Sequence, residues 1–95
     1  MVRYMALIQL TDKGAREISD SAKRAADFSA HVAAAGGTVT SQYWAIGEFD
    51  GAVVFDAPTD EAAAHLLLEL AQGGFVRTQS LRLFTPDEFQ HVIAN

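Results

Sequence analysis

Cysteine is absent from this chain of 95 residues, which excludes disulfides, thiolate nucleophiles and cysteine-ligated metals. Basic residues are also scarce: seven Lys and Arg stand against twelve Asp and Glu, giving a formal net charge of −5. Apart from the adjacent Lys23 and Arg24, they are scattered singly along the chain. Nucleic-acid binding normally needs clustered cations that displace counterions from phosphates. We therefore expect no nucleic-acid partner.

Long apolar runs are missing as well. The first ten residues already include Arg3 and Gln9, and no later run has the length of a membrane span or a signal peptide. We expect no membrane partner and a cytoplasmic location. Both Gly-Gly pairs follow predicted helices, whereas a phosphate-binding loop precedes one. No cofactor is expected.

Apolar residues dominate what is present, at 49% of the chain. The length suits a single domain over residues 1–95, and a domain of this size buries only about two thirds of its unfolded surface. The segment Val2–Leu10 has the length and composition of a strand, and Met5 and Leu7 make its second face apolar like its first. Such a strand belongs in the centre of a sheet that is covered on both sides.

Caps and breakers divide the rest of the chain. Thr11 or Asp12 caps a short helical turn through Ile18, and a second cap at 19–21 begins a helix to about Ala35. Its spacing predicts charge pairs between Asp20 and Arg24 and between Lys23 and Asp27. Strands are predicted at 38–46, 52–57 and 75–84, with a helix that Thr59 caps before the last strand.

A short terminal helix is predicted after the last strand. Thr85, Pro86 and Glu88 stand where a capping box requires them. Phe89, Val92 and Ile93 form an apolar stripe on this helix, and we expect the stripe to lie on something.

The order β-α-β-β-α-β predicts an α+β fold of ferredoxin-like type, with a four-stranded antiparallel sheet and the first and third strands in its middle. Both long helices then cover one face, and the other face is left bare. A bare apolar sheet is more than a soluble monomer usually exposes. We therefore expect a homodimer or higher homo-oligomer formed through that face.

Segments along nearly the whole chain resemble the GYD domain family, small bacterial and archaeal proteins named for a Gly-Tyr-Asp-like motif at the hairpin. The matching segments are 4–8, 11–14, 23–25, 43–50, 57–61 and 76–78, with 84–85. The motif itself reads Gly47-Glu48-Phe49-Asp50, so Phe49 stands where the name has Tyr, and a phenol hydroxyl is lacking there. The resemblance implies the same fold and a likeness to dimeric α/β-barrel proteins, in which paired sheets enclose a cavity. It implies no assigned activity.

The hairpin is the candidate ligand site. Tyr43, Trp44 and Phe49 bring three aromatics near Glu48 and Asp50. Alternation places Tyr43 and Trp44 on opposite faces, so that one packs under the helices and the other faces the bare side. One interpretation is core packing and a turn in which Asp50 binds local amides. The other is a small-molecule cavity on the open sheet face, with an aromatic wall and a carboxylate at its rim.

Arg77 completes the candidate site residues. Arg77 and Arg82 have opposite parity on the last strand, so one of them points toward the helix layer or its edge and needs an acidic partner. Arg77 is suited to anchor an anionic ligand, or equally to pair with Asp50 or Asp56.

A metal site is not expected. Glu61, His65 and Glu69 follow one helical face at i,i+4 steps, which is typical of a solvated helix side. A metal bound there lacks ligands unless a second subunit supplies one.

Three functions stay open at this point. The preferred one is a homo-oligomeric small-molecule-binding module. The second is a cofactor-independent enzyme, of monooxygenase or isomerase type, with Asp50, Glu48 or His65 as acid or base; it depends on fold analogy. The third is a purely structural or regulatory interaction protein.

Overall fold

The computed structural model describes residues 1–94. The strands are β1 (Val2–Leu10), β2 (Thr38–Trp44), β3 (Gly51–Ala57) and β4 (Val76–Leu83). They form one sheet in the order β2-β3-β1-β4, and each neighbouring pair is antiparallel. The prediction that the first and third strands are central is confirmed.

The helices are α1 (Asp12–Arg16), α2 (Ser21–Ala34), α3 (Asp60–Gln72) and α4 (Pro86–Ala94). A 3₁₀ turn, Ile18–Asp20, separates α1 from α2. The helical turn that was predicted to continue through Ile18 therefore ends at Arg16, and Ile18 belongs to the 3₁₀ turn. With this order and sheet topology, the ferredoxin-like α+β fold is confirmed. Among the described residues, no helix combines the length and the apolar character that crossing a membrane requires.

The core lies between the sheet and helices α2 and α3. Ala6 and Phe55 are fully buried on the two central strands, and the ring of Phe28 from α2 meets Phe55 edge-on at 5.5 Å. Val32 and Leu66 close the core from α2 and α3. These contacts identify the helix face of the sheet, to which even-numbered residues of β1 and odd-numbered residues of β3 point.

The opposite side of the sheet, here called the open face, has no element of the described chain packed across it. The strand register places apolar residues from all four strands in its middle: Met5, Leu7, Tyr43, Ala52, Val54, Leu81 and Leu83. Leu81 is 43% exposed and Tyr43 68% exposed, while the other five are half-buried. The apolar residues on the helix face of β1 are therefore covered, whereas those on its open face, Met5 and Leu7, are covered by no element of the described chain.

Helix α4 begins as its sequence predicts. Glu88 accepts a hydrogen bond from the Thr85 N–H at 2.7 Å, and the Thr85 hydroxyl accepts one from the Glu88 N–H at 3.1 Å. Phe84 packs near Phe89 with ring centroids 6.5 Å apart, but Phe89 remains 50% exposed and Ile93 61% exposed. Within one chain, the stripe that was expected to lie on something is largely uncovered.

Candidate functional site

A cavity of about 370 Å³ opens on the helix face of the sheet, at the end where β1 and β2 finish and β3 begins. Its floor is formed by side chains of the sheet, and α2 forms one wall. The lining residues share a mostly apolar character: Ile8, Leu10, Ile18, Ala25, Phe28, Ala45, Ile46, Ala52, Val53, Leu70, Phe75 and Val76, with Ser21, Arg24, Gln42, Tyr43, Trp44, Asp50 and Gly51. Its volume is within the range of small-molecule sites.

Trp44 connects the end of β2 with the start of α2. Its indole N–H donates a hydrogen bond to the Ser21 hydroxyl at 3.1 Å, and the residue is 58% exposed. Tyr43, its neighbour, pairs with Ala52 across the sheet and belongs to the open face. The prediction that these two aromatics point to opposite faces is confirmed by the register.

Asp50 is half-buried at the cavity and is held by backbone groups of β1. Its Oδ2 atom accepts from the Leu10 N–H at 2.8 Å, and its own N–H donates to the Ile8 carbonyl at 2.7 Å. The sequence interpretation that Asp50 binds local amides is therefore correct only in part, because the amide that it binds belongs to Leu10 on β1.

Glu48 and Arg77 do not line this cavity. Glu48 is exposed in the hairpin, where its backbone carbonyl accepts a hydrogen bond from the Gln9 side chain. Arg77 is exposed at the end of the open face, beside Gln9. Of the five predicted site residues, the structure thus places Trp44 and Asp50 at the cavity and leaves Glu48 and Arg77 outside it. Tyr43 borders the cavity too, although its strand position faces the open side of the sheet.

The two possible acidic partners of Arg77 are engaged elsewhere or held by amides. Asp56 forms a two-point contact with Arg3, at 2.7 and 3.0 Å, and this interaction lowers the pKa of Asp56 and raises the pKa of Arg3. Asp50 is bound to Leu10, as described above. No salt bridge of Arg77 is found within residues 1–94, so the anion-anchoring role stays a prediction.

Arg82 satisfies the requirement for an acidic partner at the helix edge of β4. It donates to Asp60 at 3.1 Å, and the Tyr4 hydroxyl donates to the same carboxylate oxygen at 2.8 Å. The hydrogen bond to Asp60 raises the pKa of Tyr4. These contacts connect β1 and β4 with the first turn of α3, and they pair the charge of Arg82 with that of Asp60.

The polar stripe of α3 shows one weak contact. His65 Nε2 lies 3.4 Å from a Glu69 carboxylate oxygen, and both side chains are largely exposed. In the part of the chain that the structure describes, no three potential metal ligands come together.

Arg24 is a charged cavity residue that the sequence pattern missed. The expected pair of Lys23 with Asp27 is present at 3.3 Å, but the expected pair of Arg24 with Asp20 is not formed. Arg24 donates instead to the Glu17 carbonyl at 3.1 Å, and its guanidinium lies 4.4 Å from the centroid of the Phe75 ring. A signal existed, because Arg24 stands three residues after Ser21 and four before the buried Phe28, on the inward stripe of α2.

Fold and site together define a ferredoxin-like α+β protein with one covered and one open sheet face and an apolar cavity beside its hairpin. Residues 4–93 match the GYD domain family, and the chain belongs to that family. No curated protein matches the chain significantly.

Solved structures with a similar fold share little sequence with this chain. The leucine response regulatory protein LrpA of Mycobacterium tuberculosis aligns with a TM-score of 0.67 and 19% identity over 88% of this chain and 51% of that protein. A glycine-to-threonine mutant of Rv3291c aligns at 0.68 and 18% identity, over 90% and 51%. FFRP-DM1 aligns at 0.63 and 19% identity, over 88% and 100%. The chain thus spans about half the length of the first two, and at these identities the likeness concerns the fold alone.

Proposed function

We propose that this protein is a small-molecule-binding module that assembles as a homo-oligomer through its open face. The observation that carries the binding role is the cavity of about 370 Å³ beneath α2, whose wall is mostly apolar with a few polar groups. Such a combination is typical of sites that hold the body of a ligand by burial and orient it by a few polar contacts.

The assembly role is supported by the open face. Met5, Leu7 and Leu81 lie in one continuous apolar surface that no described element covers, and soluble monomers rarely expose such a surface. A second copy suits it, because an identical apolar sheet buries both faces at once around a two-fold axis. In this proposal the paired sheets also enclose the second cavity that the sequence predicts on the open face, with Tyr43 at its wall.

A regulatory use of the module is compatible with the proposal. One structural neighbour is named a leucine response regulatory protein, which describes a protein that answers to a small molecule. The catalytic alternative receives less support from the geometry. Of its three candidate residues only Asp50 lines the cavity, and its carboxylate already accepts a backbone N–H.

Binding is tested with indole, a small neutral aromatic, titrated into labelled protein while amide resonances are followed by NMR. We expect shifts that saturate and are centred on Ile8, Ala25 and Trp44, which line the cavity. Ala25→Phe places a ring in the cavity and should abolish the saturable shifts. Ala26→Phe is the matched control, because Ala26 is the next residue of α2 and is exposed outside the cavity. Equal binding of indole by both variants would contradict the binding role of this cavity.

Assembly is tested by sedimentation at micromolar concentration. Leu81→Glu inserts a charge into the open face and should shift the protein to monomer, since a buried unpaired carboxylate is costly. Leu68→Glu is the control, because Leu68 is 65% exposed on α3, away from the open face. A wild-type protein that sediments as a clean monomer would overturn the proposed assembly.

A further inference from the structure

Arg24 has a buried nitrogen without a hydrogen-bond acceptor in the described chain. Its Nη1 atom donates to the Glu17 carbonyl, and its ring contact is with Phe75, but no partner is found for Nη2 within residues 1–94. An arginine keeps its charge at any pH that a protein meets. An unpaired buried donor on a charged group lowers stability, and native structures seldom retain one without a reason.

Three other polar side chains of the cavity wall are already paired. Trp44 donates to Ser21, and the Gln42 amide donates to the Ala25 carbonyl at 3.2 Å. Asp50 accepts from the Leu10 N–H. Arg24 is therefore the lining residue with a buried donor left unpaired, and a ligand in the cavity reaches that donor when the guanidinium turns toward it.

Two cations, Lys13 and Arg24, lie beside the same aromatic ring. Lys13 Nζ lies 4.3 Å from the centroid of the Phe75 ring, and the Arg24 guanidinium lies 4.4 Å from the same centroid. Neither cation forms a salt bridge inside residues 1–94; Lys13 only approaches the Gly73 carbonyl, at 3.4 Å. Two cations that share one aromatic ring favour an anion beside them.

We propose that the ligand of this cavity is a small organic acid with an apolar body, and that its carboxylate accepts a hydrogen bond from Arg24. The apolar body occupies the space between Ile8, Phe28 and Trp44, and the acid group lies beside Phe75. A carboxylate suits the planar guanidinium and forms the shorter, stronger hydrogen bonds of charged pairs. This inference depends on the proposed binding role and adds the chemical class of the ligand.

The test compares two probes of nearly equal shape, octanoate and its neutral amide, octanamide, by NMR titration of the wild-type protein. We expect octanoate to bind at least about tenfold more tightly, as one charge-assisted hydrogen bond implies. Arg24→Met keeps an apolar stem and removes the charge, so the preference should fall to about twofold or less while octanamide affinity stays unchanged. Lys23→Met is the matched control, because Lys23 is exposed and outside the cavity, and it should keep the preference.

A second measurement needs no variant and covers the case in which Arg24→Met does not fold. The side-chain nitrogen resonances of Arg24 should shift on addition of octanoate and should shift much less on addition of octanamide. Equal affinity for the two probes, or a preference that survives in Arg24→Met, would overturn the carboxylate inference and leave the binding role intact. Indole binding without binding of octanoate would also overturn it. Failure of all three probes would remove the binding role itself.

Discussion

The carboxylate of Asp50 and the backbone N–H of Leu10 form a 2.8 Å hydrogen bond between the hairpin and the end of β1. Regular pairing of β1 with β3 ends at Ile8 and Gly51. Asp50 continues the contact beyond this pair. Its N–H donates to the Ile8 carbonyl, and its carboxylate accepts from the Leu10 N–H. An acceptor on a side chain thus replaces the strand carbonyl that is missing at this point.

Replacement of Asp50 should test this structural role directly. Asp50→Ala leaves the Leu10 N–H without an acceptor, so we expect the free energy of unfolding to fall by about 1–3 kcal/mol. Asp50→Asn retains an oxygen acceptor and should have a smaller effect. Urea denaturation measures both. Glu48→Ala is the control, because the side chain of Glu48 is exposed, and a loss as large as that of Asp50→Ala would argue against the assigned contact.

Gly14 provides a second stability test, at the contact between α1 and the start of β4. A Cβ atom at this position would overlap the carbonyl oxygen of Phe75, the same oxygen that accepts the Thr11 N–H. Gly14→Ala should therefore lower the free energy of unfolding by about 1–3 kcal/mol, although alanine is the better helix former. Ala15→Ser, at the next and exposed position, should stay within about 0.5 kcal/mol of wild type. An unchanged midpoint for Gly14→Ala in chemical denaturation would show that the two backbones can separate freely.

Local chemistry explains why most of the fold was predictable. The apolar residues on both faces of the first strand, Met5 and Leu7 among them, favour a central position, and β1 does lie between β3 and β4. The caps at Thr11, Thr59 and Thr85 depend on residues three positions away, and each is present in the structure. These features need no knowledge of distant contacts.

The cavity was not predictable in the same way. Its wall joins α2, the hairpin and the start of β4, and the sequence separation between Arg24 and Phe75 hides their contact. Helical spacing alone suggested a surface pair of Arg24 with Asp20. The pair is absent because Asp20 ends the 3₁₀ turn before α2, while Arg24 turns to the Glu17 carbonyl and the aromatic ring. The cavity expected on the open face would form only between two copies of the protein, and the sequence of one chain does not determine how two copies are arranged.

The contact between Arg3 and Asp56 predicts a specific dependence of stability on pH. The hydrogen bonds from Arg3 lower the pKa of Asp56 below its ordinary value of 3.8. The resulting stabilisation is complete above that ordinary value and is lost as the pH falls through the lower pKa of the folded protein. The gap in unfolding free energy between wild type and Asp56→Asn should therefore be constant near neutral pH and should shrink below about pH 4.

A double-mutant cycle assigns this effect to the pair. In an Arg3→Met background, Asp56→Asn should change the acid limb of the stability profile much less, because the partner that lowers the pKa is gone. Urea denaturation at a series of pH values measures all four proteins. An acid limb that Asp56→Asn alters equally in both backgrounds would assign the effect to another group.

Helix α4 should unfold locally, before the sheet and its two long helices. Its capping box joins Thr85 and Glu88, and the Thr85 N–H lowers the pKa of the Glu88 carboxyl by stabilising its ionised form. Thr85→Ala removes one of the two capping bonds and should cost about 1 kcal/mol of helix stability. Because Phe89, Val92 and Ile93 remain about half exposed or more, this loss should appear as faster amide exchange within α4, while the global urea midpoint stays unchanged. Hydrogen exchange followed by NMR at low protein concentration measures the two separately. A global midpoint that falls by the same amount would show instead that α4 unfolds together with the core, through contacts made by its apolar stripe.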